Sequence, residues 1–156
     1  MSSDNVGFIV ASHEGPRWDM DVGRSAIFKL LSDQTGGEIA VFEEIAPPQT
    51  RAPLHIHHTS DEVIYVLYGQ FSVRLGEKTH VALADSWIFI PRGSVHGWRN
   101  SGAQDGRLLC IFTPAAGARA VEELRHQAAP LPDISPNVRD KIFAQHGFEV
   151  VTREWD

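Results

Sequence analysis

Turn-forming residues cut the stretch 25–112 at short intervals, and this punctuation constrains the fold more than any other feature of the chain. Gly36-Gly37, Pro47-Pro48, Gly69-Gln70, Gly76-Glu77, Pro91-Arg92-Gly93 and Ser101-Gly102 each favour a reversal, through left-handed backbone at glycine or a preset φ at proline. Between them lie runs rich in β-branched and aromatic side chains, at 25–31, 38–45, 63–67, 71–75, 87–90 and 108–112. Short strands separated by regular turn signals predict an all-β sandwich or barrel.

After Pro114 the pattern changes. Val121, Leu124 and Ala128 recur at helical spacing with Glu and Arg on the other side, which predicts an amphipathic helix over 115–129. A connector with Pro130, Pro132 and Pro136 follows, then a second helix over 137–145 that stops at His146-Gly147. This tail, 115–146, is too small for a second domain and is expected to cap the barrel or a neighbouring subunit. The expectation is therefore one domain over 1–156, with a barrel core at about 36–114.

Composition narrows the partners. A net charge of -6 and the lack of any Lys/Arg cluster argue against a nucleic-acid or anionic-membrane surface. The longest apolar run, 63–68, is far short of the roughly 20 residues that a spanning helix needs. The start, MSSDNVGF, has neither the basic residues nor the apolar core of a signal peptide, and the lone Cys110 has no internal disulfide partner. A cytoplasmic protein with a small-molecule substrate is expected.

The segment HIHHTSDEVIYVLYG carries the chemistry. His55 and His57, two apart on a strand, point to one face, and Glu62 can return to the same place after a short bend. His96, in PRGSVHGWRN, adds a third imidazole. Three imidazoles and a carboxylate form a borderline donor set suited to Fe, Mn, Ni, Cu or Zn. Four protein donors on an ion that prefers five or six leave positions open for chemistry, whereas closed structural zinc sites more often use Cys.

Written out, the first block is His55-x-His57-x4-Glu62-x6-Gly69 and the second is Pro91-x-Gly93-x2-His96-x3-Asn100. Together they resemble the two motifs of the cupin superfamily, small β-barrels of jelly-roll (double-stranded β-helix) topology. The tail is similar to that of quercetin-dioxygenase-like single cupins. The resemblance implies one divalent transition metal per chain, held by His55, His57, Glu62 and His96, and a homodimer. It also implies a second role for Glu62, as the base that takes a proton from a bound hydroxyl. Two positions depart from the pattern. The glycines that usually open the motifs are replaced by Gln49 and Asp85, which bears on loop shape more than on ligation.

Other residues remain open at this level. Arg51 either meets an anionic or enolate substrate at the pocket mouth or lies solvated on the rim. Trp98, on the face of His96, is either an aromatic pocket wall or plain core. Ile64 and Val66 share the face of Glu62 and are expected to floor an apolar cavity. Asn100 is expected to secure the turn after its strand, and Cys110 to be a small buried hydrophobe. The function expected is a metal-dependent dioxygenase acting on a small aromatic or enol-containing substrate. The alternatives are a non-oxidative isomerase, cyclase or lyase, or a binding module without turnover.

Overall fold

The structure, a computed structural model, describes residues 6–155. Residues 1–5, which carry most of the MSSDNVGF stretch, lie outside the described residues. Two antiparallel sheets face each other. The six-stranded sheet has the order β1 (Arg17–Asp21), β2 (Arg24–Leu30), β3 (Ala40–Ala46), β10 (Gly106–Thr113), β5 (Asp61–Tyr68) and β8 (Trp87–Ile90). The five-stranded sheet runs β11 (Phe148–Thr152), β4 (Leu54–His57), β9 (His96–Asn100), β6 (Gln70–Leu75) and β7 (Lys78–Leu83). This is the jelly-roll barrel of the cupin fold. The C-terminal appendage holds α1 (Ala116–Leu124) and α2 (Pro136–Gln145), with 3-10 turns at Arg125–Gln127 and Leu131–Asp133 between them.

Alternation explains why the central strands sit where they do. β3 buries Ala40, Phe42, Glu44 and Ala46; β5 buries Glu62, Ile64 and Val66; β10 buries Gly106, Leu108, Cys110 and Phe112. Every second side chain therefore faces the other sheet. Phe42 lies between Phe28 and Phe112, with ring centroids 5.7 and 5.6 Å away. A buried phenylalanine of this kind stabilises the fold by about 1.5–3 kcal/mol.

The two departures from the glycine pattern keep the glycine conformation. Gln49 has φ 67° and Asp85 φ 68°, both left-handed. Asp85 is also held by a hydrogen bond from the Tyr65 hydroxyl, and the Gln49 amide donates to the Asn100 carbonyl at 3.0 Å. Asn100 is fully buried; its Nδ2 donates to the carbonyls of Ala46 and Gln104, and its Oδ1 accepts from the Gly102 amide. It thereby clamps the turn that follows β9.

Sequence periodicity missed three strands, β1, β7 and β11. β11 matters most. It pairs with the outer edge of β4, with Phe148 opposite His57 and Val150 opposite His55. The tail folds back over the chain's own barrel: Trp18 Nε1 donates to the Ala129 carbonyl at 3.0 Å, and Trp155 Nε1 donates to the Ala52 carbonyl at 3.0 Å. Among the described residues, no helix is long and apolar enough to cross a membrane.

Candidate metal centre

Three elements bring the four donors together. β4 supplies His55 and His57 from one face, and β9 starts with His96 directly across from His55 in the ladder. Glu62 comes from β5 in the opposite sheet, so the cluster bridges the barrel interior. One donor atom from each of the four residues lies within 4.8 Å of the others, and all four side chains are buried. His55 Nε2 is 3.2 Å from His57 Nε2; Glu62 Oε2 is 2.9 Å from His96 Nε2 and 3.5 Å from His57 Nε2.

The surroundings orient these rings. His55 Nδ1 is 2.7 Å from the Pro53 carbonyl and His96 Nδ1 is 3.0 Å from the Ser94 carbonyl. A carbonyl can only accept, so each Nδ1 carries a proton and donates it. That leaves the Nε2 lone pair of His55 aimed into the cluster. Burial, followed by the neighbouring His96 and His57, holds the pKa of His55 well below its ordinary value. Burial likewise lowers His57 to about 4. Both rings are thus neutral at pH 7. Burial also opposes a charge on His96, but the Glu62 carboxylate outweighs it and raises the pKa of that ring. His57 Nδ1 is buried with no partner among the described residues, so its proton is the one that the backbone does not place.

A cation fits this arrangement. Two neutral imidazole nitrogens stand 3.2 Å apart beside a carboxylate; a proton on His57 Nε2 bridges them, and with that proton on Nδ1 instead both lone pairs are free for a shared cation. A proton on His96 supplies part of that positive charge; a divalent ion bound there would displace it. The four residues can therefore hold one metal ion, and the donor set does not choose among Fe, Mn, Ni, Cu and Zn.

The cluster opens into a cavity of about 290 Å³. Arg51 and Trp98 line it, Trp98 with only 4% exposure. Ile64 and Val66 do not. They share the face of Glu62 but lie deeper along β5, packed into the same core as Phe71 and Val73. The cavity floor comes from the neighbouring strands instead, through Phe42, Cys110 and Phe112. Cys110 is buried, and burial pushes its thiol pKa well up, so it acts as a small hydrophobe. His58 and Asp61 turn outward, to Glu149 and Arg92.

Several site residues escaped the sequence reading. Phe148 stacks flat on His55 at 4.7 Å and meets His57 edge-on at 5.0 Å, fixing both rings from the side of β11. Arg24 lies over the Trp98 ring at 5.3 Å and pairs with Glu44 at 2.5 Å. Burial pushes the Glu44 carboxyl up against the pull of Arg24. A signal for Glu44 existed: in AVFEEIA the second Glu falls on the apolar face of the strand. The tail roofs the cavity with Val121, Leu124, Leu131 and Phe143.

Residues 41–112 match the cupin domain family. The chain is 31% identical over 112 residues to the polyketide synthase CurC of Streptomyces cyaneus, covering 70% of this chain and 71% of that protein. It is 33% identical over 89 residues to protein SchB of Streptomyces halstedii, covering 56% of this chain and 64% of that one. Among solved structures, KdgF from Halomonas sp. superposes with a TM-score of 0.63 over 70% of this chain and 94% of that chain, at 18% identity. That likeness concerns the fold alone.

Proposed function

The chain belongs to the cupin family, and from that premise we propose that it is a metal-dependent dioxygenase acting on a small aromatic or enol-containing substrate. One observation carries the reading: a buried three-His, one-Glu donor cluster stands at the inner end of a largely apolar cavity of small-molecule size. When bound, a divalent transition metal supplies Lewis acidity toward a substrate hydroxyl and, for redox-active ions, electron transfer to dioxygen.

The chain's own residues account for the rest. Glu62 Oε2, already hydrogen-bonded to His96, accepts the proton of the substrate hydroxyl. Trp98, Phe42 and Phe112 present flat apolar walls that orient a ring, and the tail excludes water from above. Phe148 and the Pro53 and Ser94 carbonyls keep the imidazoles in place while the substrate enters.

A second reading has its own support. Similarity to a polyketide synthase favours non-oxidative cyclisation, isomerisation or lyase chemistry at the same centre, again with Glu62 moving the proton. An oxygen electrode separates the two. Oxygen uptake that requires both the metal and a catechol or flavonol supports the dioxygenase. Turnover without oxygen uptake transfers the site to the second reading. Tight ligand binding, with no product and no dependence on metal, would leave a binding module and sink both.

Two further proposals concern context. A homodimer is proposed on the edge strand β8, where Trp87 and Phe89 are 67% and 63% exposed. Light scattering tests it, and a monomer at micromolar concentration would overturn it. A cytoplasmic location is proposed on the unpaired Cys110.

A further inference from the structure

The cavity that holds the cluster also has a strongly cationic lining. Four arginines line it, Arg24, Arg51, Arg139 and Arg153, in a chain whose net charge is -6. The only carboxylates on the same lining are Glu44 and Glu62, so the cavity carries a surplus of positive charge before any metal ion is added. Such a surplus in a confined, mostly apolar space attracts and focuses anions.

The arginines are not equivalent. Arg24 is committed: its Nε pairs with Glu44, its Nη1 donates to the Arg51 carbonyl at 3.2 Å, and its plane covers Trp98. Arg51 donates to the Trp155 carbonyl at 3.1 Å, and together with Arg153 it borders an open depression outside the cavity, so both stand at the mouth. Arg139 differs from all of these. Its side chain is only 17% exposed, and its Nε is buried with no hydrogen-bond acceptor among the described residues. The Asp140 carboxylate is 3.5 Å from that atom but belongs to a side chain that is 65% exposed, and it makes no hydrogen bond there. The Nε–H of this half-buried guanidinium thus has an ion-pair neighbour but no hydrogen-bond acceptor, and a bound oxyanion would supply one.

Its position suits a two-point ligand. From the cluster, His55 stacks on Phe148 at 4.7 Å, and Phe148 stacks on Phe143 at 4.4 Å. Arg139 stands four residues before Phe143 on α2, about 6 Å away on the same helix face. Arg139 and the cluster line one cavity, whose volume of about 290 Å³ suits a molecule of one or two rings.

We propose that the substrate is a small aromatic or enol-bearing carboxylate, with its hydroxyl end at the His/Glu cluster and its carboxylate received by Arg139, and that Arg51 and Arg153 draw it in at the mouth. This deepens the proposed function and rests on that reading of the cavity as the substrate site. Arg139 is a substrate-binding residue, and the guanidinium fork matches a carboxylate in two parallel hydrogen bonds.

Calorimetry tests this with 3,4-dihydroxybenzoate against catechol on the nickel-loaded protein, and benzoate against benzamide on the chelator-treated protein. In each pair the carboxylate is expected to bind about tenfold more tightly at low salt, the scale of a charge-assisted hydrogen bond, and to lose part of that advantage in 300 mM NaCl. R139Q should bring both ratios to within about twofold while catechol affinity holds, and R139K, which keeps the charge, should retain most of the preference. Equal affinities in the wild-type protein, which need no variant, overturn the proposal; so does a ratio that R139Q leaves unchanged. If the carboxylate preference holds but the loaded protein turns nothing over, the anion site stands and the catalytic reading falls. If neutral catechols are turned over with no carboxylate preference, the catalytic reading stands and this proposal falls.

Discussion

At one end of the cavity, four donors drawn from residues 55–96 converge within 4.8 Å; at the other, arginines reach the same space from β2, from the bridge residue Arg51, from α2 and from the C-terminal segment. The metal end is a product of strand register. His55 faces His96 across one ladder, and Glu62 lies on the strand of the opposite sheet where the barrel closes. Half of the arginine end comes with the tail: docking brings Arg139 and Arg153, while Arg24 and Arg51 belong to the barrel. Remove α2 and Arg139 is gone, while every donor remains. The possible metal site is therefore built into the barrel alone, whereas the cationic lining is shared between the barrel and what covers it. Phe148 is the exception, since it belongs to the tail yet touches two of the donors.

Substitutions can break that division or sharpen it. The largest effect is expected from His57→Ala or His96→Ala. Losing an orienting partner of a ligand typically costs 10–100-fold in metal affinity, so losing a ligand should cost roughly a hundredfold or more. Elemental analysis after gel filtration should find little metal, while benzoate still binds the arginine end. Full metal occupancy in both variants would mean that the donors are misassigned.

Next comes Phe148→Ala, which should damage both ends at once. The ring is partly buried, so about 2 kcal/mol of stability is expected to go, somewhat less than for a fully buried phenylalanine. Metal affinity should fall less than in His57→Ala. Urea unfolding and metal titration check this. A variant with unchanged metal affinity would show that β11 only covers β4 and does not hold its rings.

Acid should act chiefly through the buried histidines. His57 has a pKa of about 4 in the folded protein against 6.5 ordinarily, and burial lowers His55 in the same sense. Below pH 6.5 the unfolded chain binds protons that these two rings refuse, so metal-free protein loses stability as pH falls from 6.5 toward 4. For His57 that loss is on the order of 3 kcal/mol. His96 runs the other way: its raised pKa adds stability below 6.5 that disappears as pH rises through its folded value. Glu44, whose carboxyl is pushed up by burial, runs the same way as His96; against these the two depressed rings predict a net loss on acidification. Urea midpoints in chelator at pH 7, 6 and 5 should fall in that order, and a flat series would refute the sign.

The smallest effect should touch neither end. Gln49 sits at φ 67°, where a side chain costs about 1 kcal/mol relative to glycine. Gln49→Gly should raise the melting temperature by a few degrees and leave metal content alone. A drop would show that the Gln49 side chain does more than tolerate its backbone.

How much of this was legible in the chain depended on distance along it. The His55/His57 pair follows from the two-residue period of a strand, and the helices from the spacing of Val121 and Leu124. Periodicity failed for Ile64 and Val66 because it assigns a face and not a depth. They share the face of Glu62, yet they pack within the core and do not line the cavity. β11 went unread because FEVVT is short and its partner β4 lies some ninety residues earlier. The Gln49 and Asp85 departures looked like altered loops, and the backbone shows that the turns are kept.

From the sequence by itself came the all-β class, the strand that carries the first two donors, the identity of all four donors, and the helical character of the tail. The class, the strand of the first two donors and the tail rest on a local period; the full donor set, with His96 well beyond Glu62, rests on the resemblance to the cupin motifs. Only the tertiary structure decided that the tail roofs its own barrel, that Phe148 braces the imidazoles, and that arginines from four separate elements face one cavity. Those facts depend on pairings between segments far apart in the chain, which leave no periodic trace in either partner. What selects the two segments is the burial of shared apolar surface, and that becomes visible only once both are in place.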